Sequence, residues 1–395
     1  MSGALSGITV IDFTRVLSGP YCTMALSDLG ARVIKIEHPV HGDDTRHWGP
    51  PFIGDESAYF LSINRNKESL TLDFKHPESQ VILERLLAQA DVLVENFRPG
   101  TLDAIGLGAA ALSARFPRLV YCSVSGYGQT GPRRKEAGYD AVMQAEGGLM
   151  SITGEADGTP YRLGVAITDI VSGLFAAQGV LAALFARERT GRGQQVDIGM
   201  LDATAALLTY QAGNYFTTGK APARLGNRHP TIVPYECFET ADGDFVVAGG
   251  NDGIWRRLCT ALDLPALAED ERFATNKGRV AHYEELRPVL ARQLKTRTRA
   301  DWAARLAEAG VPCGSVREIS EVLADPQLAA RNMVAEVEHP TVGRARVISS
   351  PVKLSETPTS VRTAPPVLGQ HTDAILQELG YDGSAIRRLR ATKVV

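Results

Sequence analysis

Apolar positions in the first part of the chain fall into short β-branched runs separated by stretches with helical spacing. Residues 8–13 read as a strand, Gly19-Pro20 interrupts, 21–29 carry apolar side chains at helical spacing, Gly30 stops that helix, and 32–36 form a second strand. The pattern predicts a βαβ unit. A helix at about 78–89 and strands at 92–95 and 119–123 continue the alternation, so 1–215 read as a doubly wound, Rossmann-like α/β domain with a parallel sheet.

From 219 to 234 the pattern dissolves into a polar stretch punctuated by Gly219, Pro222, Gly226 and Pro230, as expected of a linker. Strands at 235–239 and 244–248 follow, turned at Ala241-Asp242-Gly243, then helices near 253–262, 284–296 and 299–309. These predict a smaller α+β domain, so 216–329 are read as linker plus small domain. Beyond Pro326 come strands at 334–338 and 347–350, a Pro-rich segment and a closing helix near 372–379.

Composition narrows the functional class. The 42 basic and 45 acidic residues give a formal charge of −3, and no run of one sign could track a nucleic-acid backbone. The amino end has no basic n-region, and the most apolar stretch, 170–186, is interrupted by Ser172, Gln178 and two glycines, so neither a signal peptide nor a membrane span is expected and a cytoplasmic location is. Cys22, Cys122, Cys237, Cys259 and Cys313 are odd in number and form no CxxC, and the histidines show no ligand spacing. Neither disulfides nor a metal are implied.

Two glycine patterns, GxGxxA from Gly106 and GxGxxG from Gly126, lack the strand-to-helix setting of a dinucleotide site. Asp169 is more suggestive. It ends an extended stretch and opens the apolar helix predicted from Ile170, which makes it an N-cap candidate as well as a reactive carboxylate. Gly249-Gly250 follow a strand and could bring backbone amides to a thioester oxygen, or form an ordinary loop. His38, Arg46, Lys67, Lys75, Arg98 and Lys135 fall near predicted ends of first-domain elements, where a phosphate-bearing ligand docks on an open sheet, although a solvated face explains most of them equally.

Taken in order, the segments VIDFTRVLSGP (10–20), DLGA (28–31), VIKIE (33–37), GD (42–43), NRNK (64–67), ENFRPG (95–100), GYD (138–140), TGRGQ (190–194), PTVG (340–343) and PVLGQHT (366–372) resemble the family III CoA-transferases over essentially the whole chain. That resemblance implies an interlinked homodimer whose large domain takes in both chain ends, 1–215 and 330–395. It implies that Asp169 is the covalent nucleophile, that no cofactor is needed, and that the CoA of the substrate thioester contacts Val16, Leu17, His38, Leu72, Lys75, Asn96, Phe97, Arg98, Lys135, Tyr139 and Asp140. Many relatives carry a basic residue where this chain has His38 and Ala104, which shifts phosphate recognition toward Lys75 and Arg98.

Within the family, DDTRHWGPPF (43–52), GYGQTGP (126–132) and IVPY (232–235) are most similar to the branch that transfers CoA from succinyl-CoA to glutarate. A dicarboxylate acceptor is therefore expected, with Arg46, Arg162 and His229 as partners for its distal carboxylate and Gly249 and Gly250 near the acyl group. Formyl-CoA transferases that act on oxalate have Gln where this chain has Leu17, so oxalate is the poorer expectation. An α-methylacyl-CoA racemase needs a His where Tyr139 stands, and a phenol titrating near 10 replaces imidazole poorly. A non-catalytic CoA-binding protein is the third reading.

Overall fold

The computed structural model describes residues 3–395. Its chain divides into two compact units, one comprising the residues up to Leu149 with Arg162–Phe216 and Pro326–Val395, the other Met150–Tyr161 with Thr217–Asp325. The first unit is built on β1 (Thr9–Asp12), β2 (Arg32–Glu37), β3 (Lys67–Thr71), β4 (Val92–Glu95), β5 (Val120–Ser125) and β6 (Gln195–Gly199). All six are parallel, in the order β3-β2-β1-β4-β5-β6. Strand order reverses between β1 and β4, and the crevice outside their carboxyl ends is where such sheets bind ligands.

Both faces of this sheet are covered, which is why its central strands are apolar runs and do not alternate. Ile11, Ile34 and Leu93 pack into one cluster with Phe13, Leu70 and Ile82, while Val10, Val33, Val92 and Val94 pack into another with Met143, Ala176 and Val180. Two strands escape the apolar criterion. β3 reads Lys-Glu-Ser-Leu-Thr and β6 Gln-Val-Asp-Ile-Gly, so neither shows as a hydrophobic run.

Helix α1 spans Ser18–Asp28, three residues earlier than its apolar spacing suggests. Gly19 and Pro20 sit in its first turn instead of breaking the chain, because a proline there lacks only an amide that has no intrahelical partner. Helix α2 covers Asp140–Glu146 and α3 covers Ile167–Thr190, closed by Gly191 at φ 70°. With 24 residues, α3 is long and apolar enough to cross a membrane, contrary to the sequence expectation. Its stripe Gly173, Ala176, Val180 and Leu184 is nevertheless buried, the middle of it in the core over the sheet.

In the second unit, β7 (Tyr235–Glu239), β8 (Asp244–Ala248) and β9 (Cys313–Ser315) form an antiparallel sheet. Helices Asp252–Ala261, Tyr283–Leu294 and Arg299–Glu308 contribute to a core around Phe238, Phe245, Trp255, Leu290 and Trp302. Residues 150–161, placed by sequence in the large domain, group here instead. Gly226 N donates to Gly154 O at 3.0 Å, and the Arg224 guanidinium donates to the carbonyls of Glu155 at 3.1 Å and Gly158 at 2.9 Å. Residues 326–329, read as small domain, group with the first unit.

Charges buried under the crevice fix the strand ends. Lys67 Nζ, without solvent exposure, donates to Asn64 Oδ1 at 2.9 Å, Pro20 O at 3.0 Å and Asp12 Oδ2 at 3.2 Å. Burial drives its pKa down to about 8 against the pull of Asp12. Removing one partner of such a pair strands the other. Lys67→Met should therefore lose about 3–5 kcal/mol of unfolding free energy in urea titrations, and adding Asp12→Asn should recover part of it.

Candidate active site

A crevice of about 620 Å³ opens at the carboxyl ends of β1 to β5, and Asp169 reaches its wall from the first turn of α3. The helix begins at Ile167, so Asp169 is its third residue and not its cap, which corrects the reading from sequence. The residue at the cap position, Ala166, has no side chain to accept an amide. Asp140, from α2, supplies the acceptor: its Oδ1 lies 2.9 Å from Thr168 N, 2.7 Å from Thr168 Oγ1 and 3.4 Å from Asp169 N.

Asp169 is half-buried, and burial together with the neighbouring negative charge of Asp140 pushes its pKa up to about 7, while the Ser18 hydroxyl donates to it and works the other way. Tyr59 reports the same negative field. Its phenol is pushed up to about 12 by burial, then by Asp169, Asp140 and Asp43. A carboxylate of this kind is present in both protonation states near neutrality and is a better nucleophile or base than an ordinary aspartate.

Ser18 is placed by two contacts. Asn96, at the end of β4, donates to Ser18 Oγ at 3.4 Å and clasps the β1 loop through Arg15 N at 2.9 Å and Arg15 O at 2.7 Å. The second is a close crossing of α1 and α3. At Gly173, one turn beyond Asp169, an added Cβ would lie 2.5 Å from Ser18 O and 3.0 Å from Tyr21 Cβ, so any side chain forces the helices apart.

Of the residues singled out from sequence, Val16, His38, Lys75, Asn96, Phe97, Arg98 and Tyr139 line the same crevice as Asp169. Arg15 stacks its guanidinium on Phe97, 5.3 Å from the ring centroid, and His38 stacks on His41 at 5.0 Å. Others are elsewhere. Leu72 has no exposed surface and packs in the sheet core, and Leu17 is buried with Met24 and Ile63, so neither side chain lines the crevice. Lys135 is exposed off the crevice wall, and Asp140 is occupied with the first turn of α3.

Arg46 is not available to a substrate. It is buried and bidentate to Glu37 at 2.7 Å for each contact, with Phe60 beneath it. Arg162 is exposed in the first unit and donates to Leu163 O at 3.1 Å. His229, Gly249 and Gly250 belong to the second unit. There His229 stacks on Tyr235 at 5.3 Å and the Gly249 amide is spent on Pro234 O at 2.7 Å, which removes it as an oxyanion donor. Sequence reasoning missed Ser18, Gly173 and the role of Asp140. The available signals were an aspartate opening a helix at 140 and a glycine four residues after Asp169.

A carboxyl whose folded-state pKa is raised opposes folding when it ionises. Its contribution to stability is full below 3.8 and is lost as pH climbs toward 7. Asp169→Asn, which cannot ionise, should melt above the parent at pH 8, and the margin should disappear at pH 4 in thermal unfolding.

Residues 5–372 match the family described as CoA-transferase family III. A succinyl-CoA:glutarate CoA-transferase from Homo sapiens is 44% identical over 392 residues, which cover 99% of this chain and 90% of the relative. An acetyl-CoA:oxalate CoA-transferase from Acetobacter aceti is 44% identical over 354 residues, covering 89% and 90%. The crystal structure of a CAIB/BAIF family protein from Brucella suis aligns with a TM-score of 0.85 at 43% identity, covering 96% of this chain and 100% of that one. Likeness over nearly the full length, on a parallel sheet with a carboxylate in its ligand crevice, makes this chain a member of CoA-transferase family III and a CoA-transferase.

Proposed function

We propose that the chain moves CoA from succinyl-CoA to glutarate or a close five-carbon dicarboxylate, with Asp169 as the covalent nucleophile. The observation that carries this reading is Asp169 itself, a carboxylate with its pKa near 7 on the wall of the crevice at the strand-order reversal. Its oxygen attacks the donor thioester carbon, forming a C–O bond and breaking C–S, to give a mixed anhydride and CoA thiolate. The thiolate attacks the aspartyl carbonyl, re-forming C–S and releasing the donor acid as carboxylate. The acceptor carboxylate then attacks the aspartyl thioester, and the returning thiolate takes the acceptor acyl group and frees Asp169.

No proton is gained or lost over the cycle, and one thioester replaces another of similar energy. The Ser18 hydroxyl holds the attacking carboxylate, while Lys75, Arg98 and His38 on the crevice rim suit the phosphates of CoA. With Arg46 committed to Glu37, Arg162 is the remaining first-unit candidate among the residues expected to meet the distal carboxylate of the acceptor. The name of the human relative supports glutarate. The working form in this reading is a homodimer with interlinked chains. Support comes from apolar side chains left outside the first unit's core, Leu174, Phe185, Tyr215 and Phe216, the last 81% exposed.

Transfer should follow ping-pong kinetics, and borohydride or hydroxylamine added with succinyl-CoA should modify a peptide containing Asp169. Asp169→Asn should lose at least about 1,000-fold in kcat while retaining CoA affinity, because an amide keeps the shape but forms no anhydride. Near-parental transfer by that variant would refute the nucleophile. In the same assay glutarate should outpace oxalate as acceptor. If oxalate were the best acceptor, the substrate assignment would fall and the family would stand.

A further inference from the structure

The first turn of α3 is organised by a residue that lies outside the crevice. Asp140 Oδ1 takes Thr168 N, Thr168 Oγ1 and Asp169 N, and Oδ2 takes Gln144 Nε2 at 2.7 Å. Gln144 has no exposed surface, and its Oε1 accepts Leu163 N at 2.8 Å. Both Asp140 oxygens are thus held, one by a buried amide and the other by the turn that carries Asp169.

We propose that Asp140 is a positioning residue for CoA transfer: one oxygen aims Asp169 by fixing its backbone amide and that of Thr168, and its charge strengthens Asp169 as a nucleophile. The proposal rests on the reading of Asp169 as the nucleophile.

Charge and shape reach Asp169 from three elements. α2 brings Asp140, α1 brings the uncharged Ser18, and the helix Ala58–Ile63 brings Tyr59. Asp140 is the charged group that acts on the titration of Asp169. The basic side chains on the crevice wall, Arg15, His38, Lys75 and Arg98, come from the loops and strand ends after β1 to β4, and Lys35, buried beneath it, is already paired with Asp43 at 2.8 Å. A neighbouring carboxylate makes the ionised state of Asp169 more costly, which raises its basicity and with it its reactivity toward a thioester carbon.

The two roles separate by substitution. Asp140→Ala removes both and should lower kcat on the order of 100-fold through misplacement of the turn. Asp140→Asn keeps an oxygen for the two amides and removes the charge, but its NH₂ meets the NH₂ of Gln144. Asp140→Asn/Gln144→Glu restores that bond, because the new carboxylate accepts from both the introduced side-chain amide and Leu163 N while the charge moves one side chain away from Asp169.

The experiment is the pH profile of kcat/KM for succinyl-CoA in the full-length enzyme, with CoA affinity measured by calorimetry. The acid limb, which reports ionisation of the nucleophile, should move down by about one pH unit in Asp140→Asn and in the double variant, with CoA affinity kept. The double variant should recover kcat relative to Asp140→Ala. An unmoved limb together with parental rates in both variants would overturn the proposal. If Asp140→Asn fails to fold, the double variant decides alone. Asp169→Asn run in parallel separates the two ideas: an inactive Asp169→Asn with unmoved Asp140 variants sinks only the positioning role, whereas an active Asp169→Asn sinks the nucleophile beneath it.

Discussion

Four charges without water contact hold the crevice in shape: Asp12, Lys35, Asp43 and Lys67. Desolvating an ion costs several kcal/mol even after relaxation, so each must keep its full set of partners, and those partners are the crevice loops. Lys35 Nζ binds Thr14 O at 2.8 Å, and Lys67 binds Pro20 O in the first turn of α1. Asp43, held near a pKa of about 2 because Lys35 outweighs its burial, accepts Val16 N at 3.3 Å. Val16 sits at φ 69°, a conformation costly for a β-branched residue, and the anchored ends on either side leave the loop little alternative. Arg15, Val16 and Ser18 thereby keep fixed places in the crevice that Asp169 reaches, with Ser18 donating to that carboxylate.

What the chain disclosed in advance follows from how each element is stabilised. β1, β2, β4 and β5 bury apolar side chains on both faces and announce themselves as β-branched runs. β3 is buried equally well through polar contacts, with Ser69 Oγ on Glu37 Oε1 at 2.6 Å and Thr71 N on Thr372 Oγ1 at 3.0 Å, and these depend on residues up to 301 positions away. No local pattern can show such partners. The start of α3 was misplaced for the same reason, since its cap is a side chain 28 residues upstream.

The site residues divide in the same way. Asp169 was singled out by its place at the start of an apolar helix, and Lys75, Asn96 and Arg98 by family resemblance; the fold brings all four to one crevice. Arg46 was misread because an arginine in a loop looks free, and only the fold brings Glu37 to both ends of its guanidinium. Leu72 came from family resemblance alone, and the fold puts its side chain in the core, which leaves only its backbone to face a ligand. At Asp169 two opposing influences, the carboxylate of Asp140 and the hydroxyl of Ser18, arrive on separate helices, so the reactivity of one atom is set by the packing of α1, α2 and α3.

The crossing of α1 and α3 at Gly173 carries a consequence for reading natural variants. A catalogue built on residues that touch substrate would pass a glycine-to-alanine change there as mild, since it adds one methyl group inside a helix and raises helix propensity. The backbone oxygen of Ser18 occupies the space that methyl needs. An allele altered only at this codon would leave every substrate-contacting side chain intact yet push apart the helices that carry Ser18 and Asp169, and would be scored benign by any ranking that stops at the crevice wall.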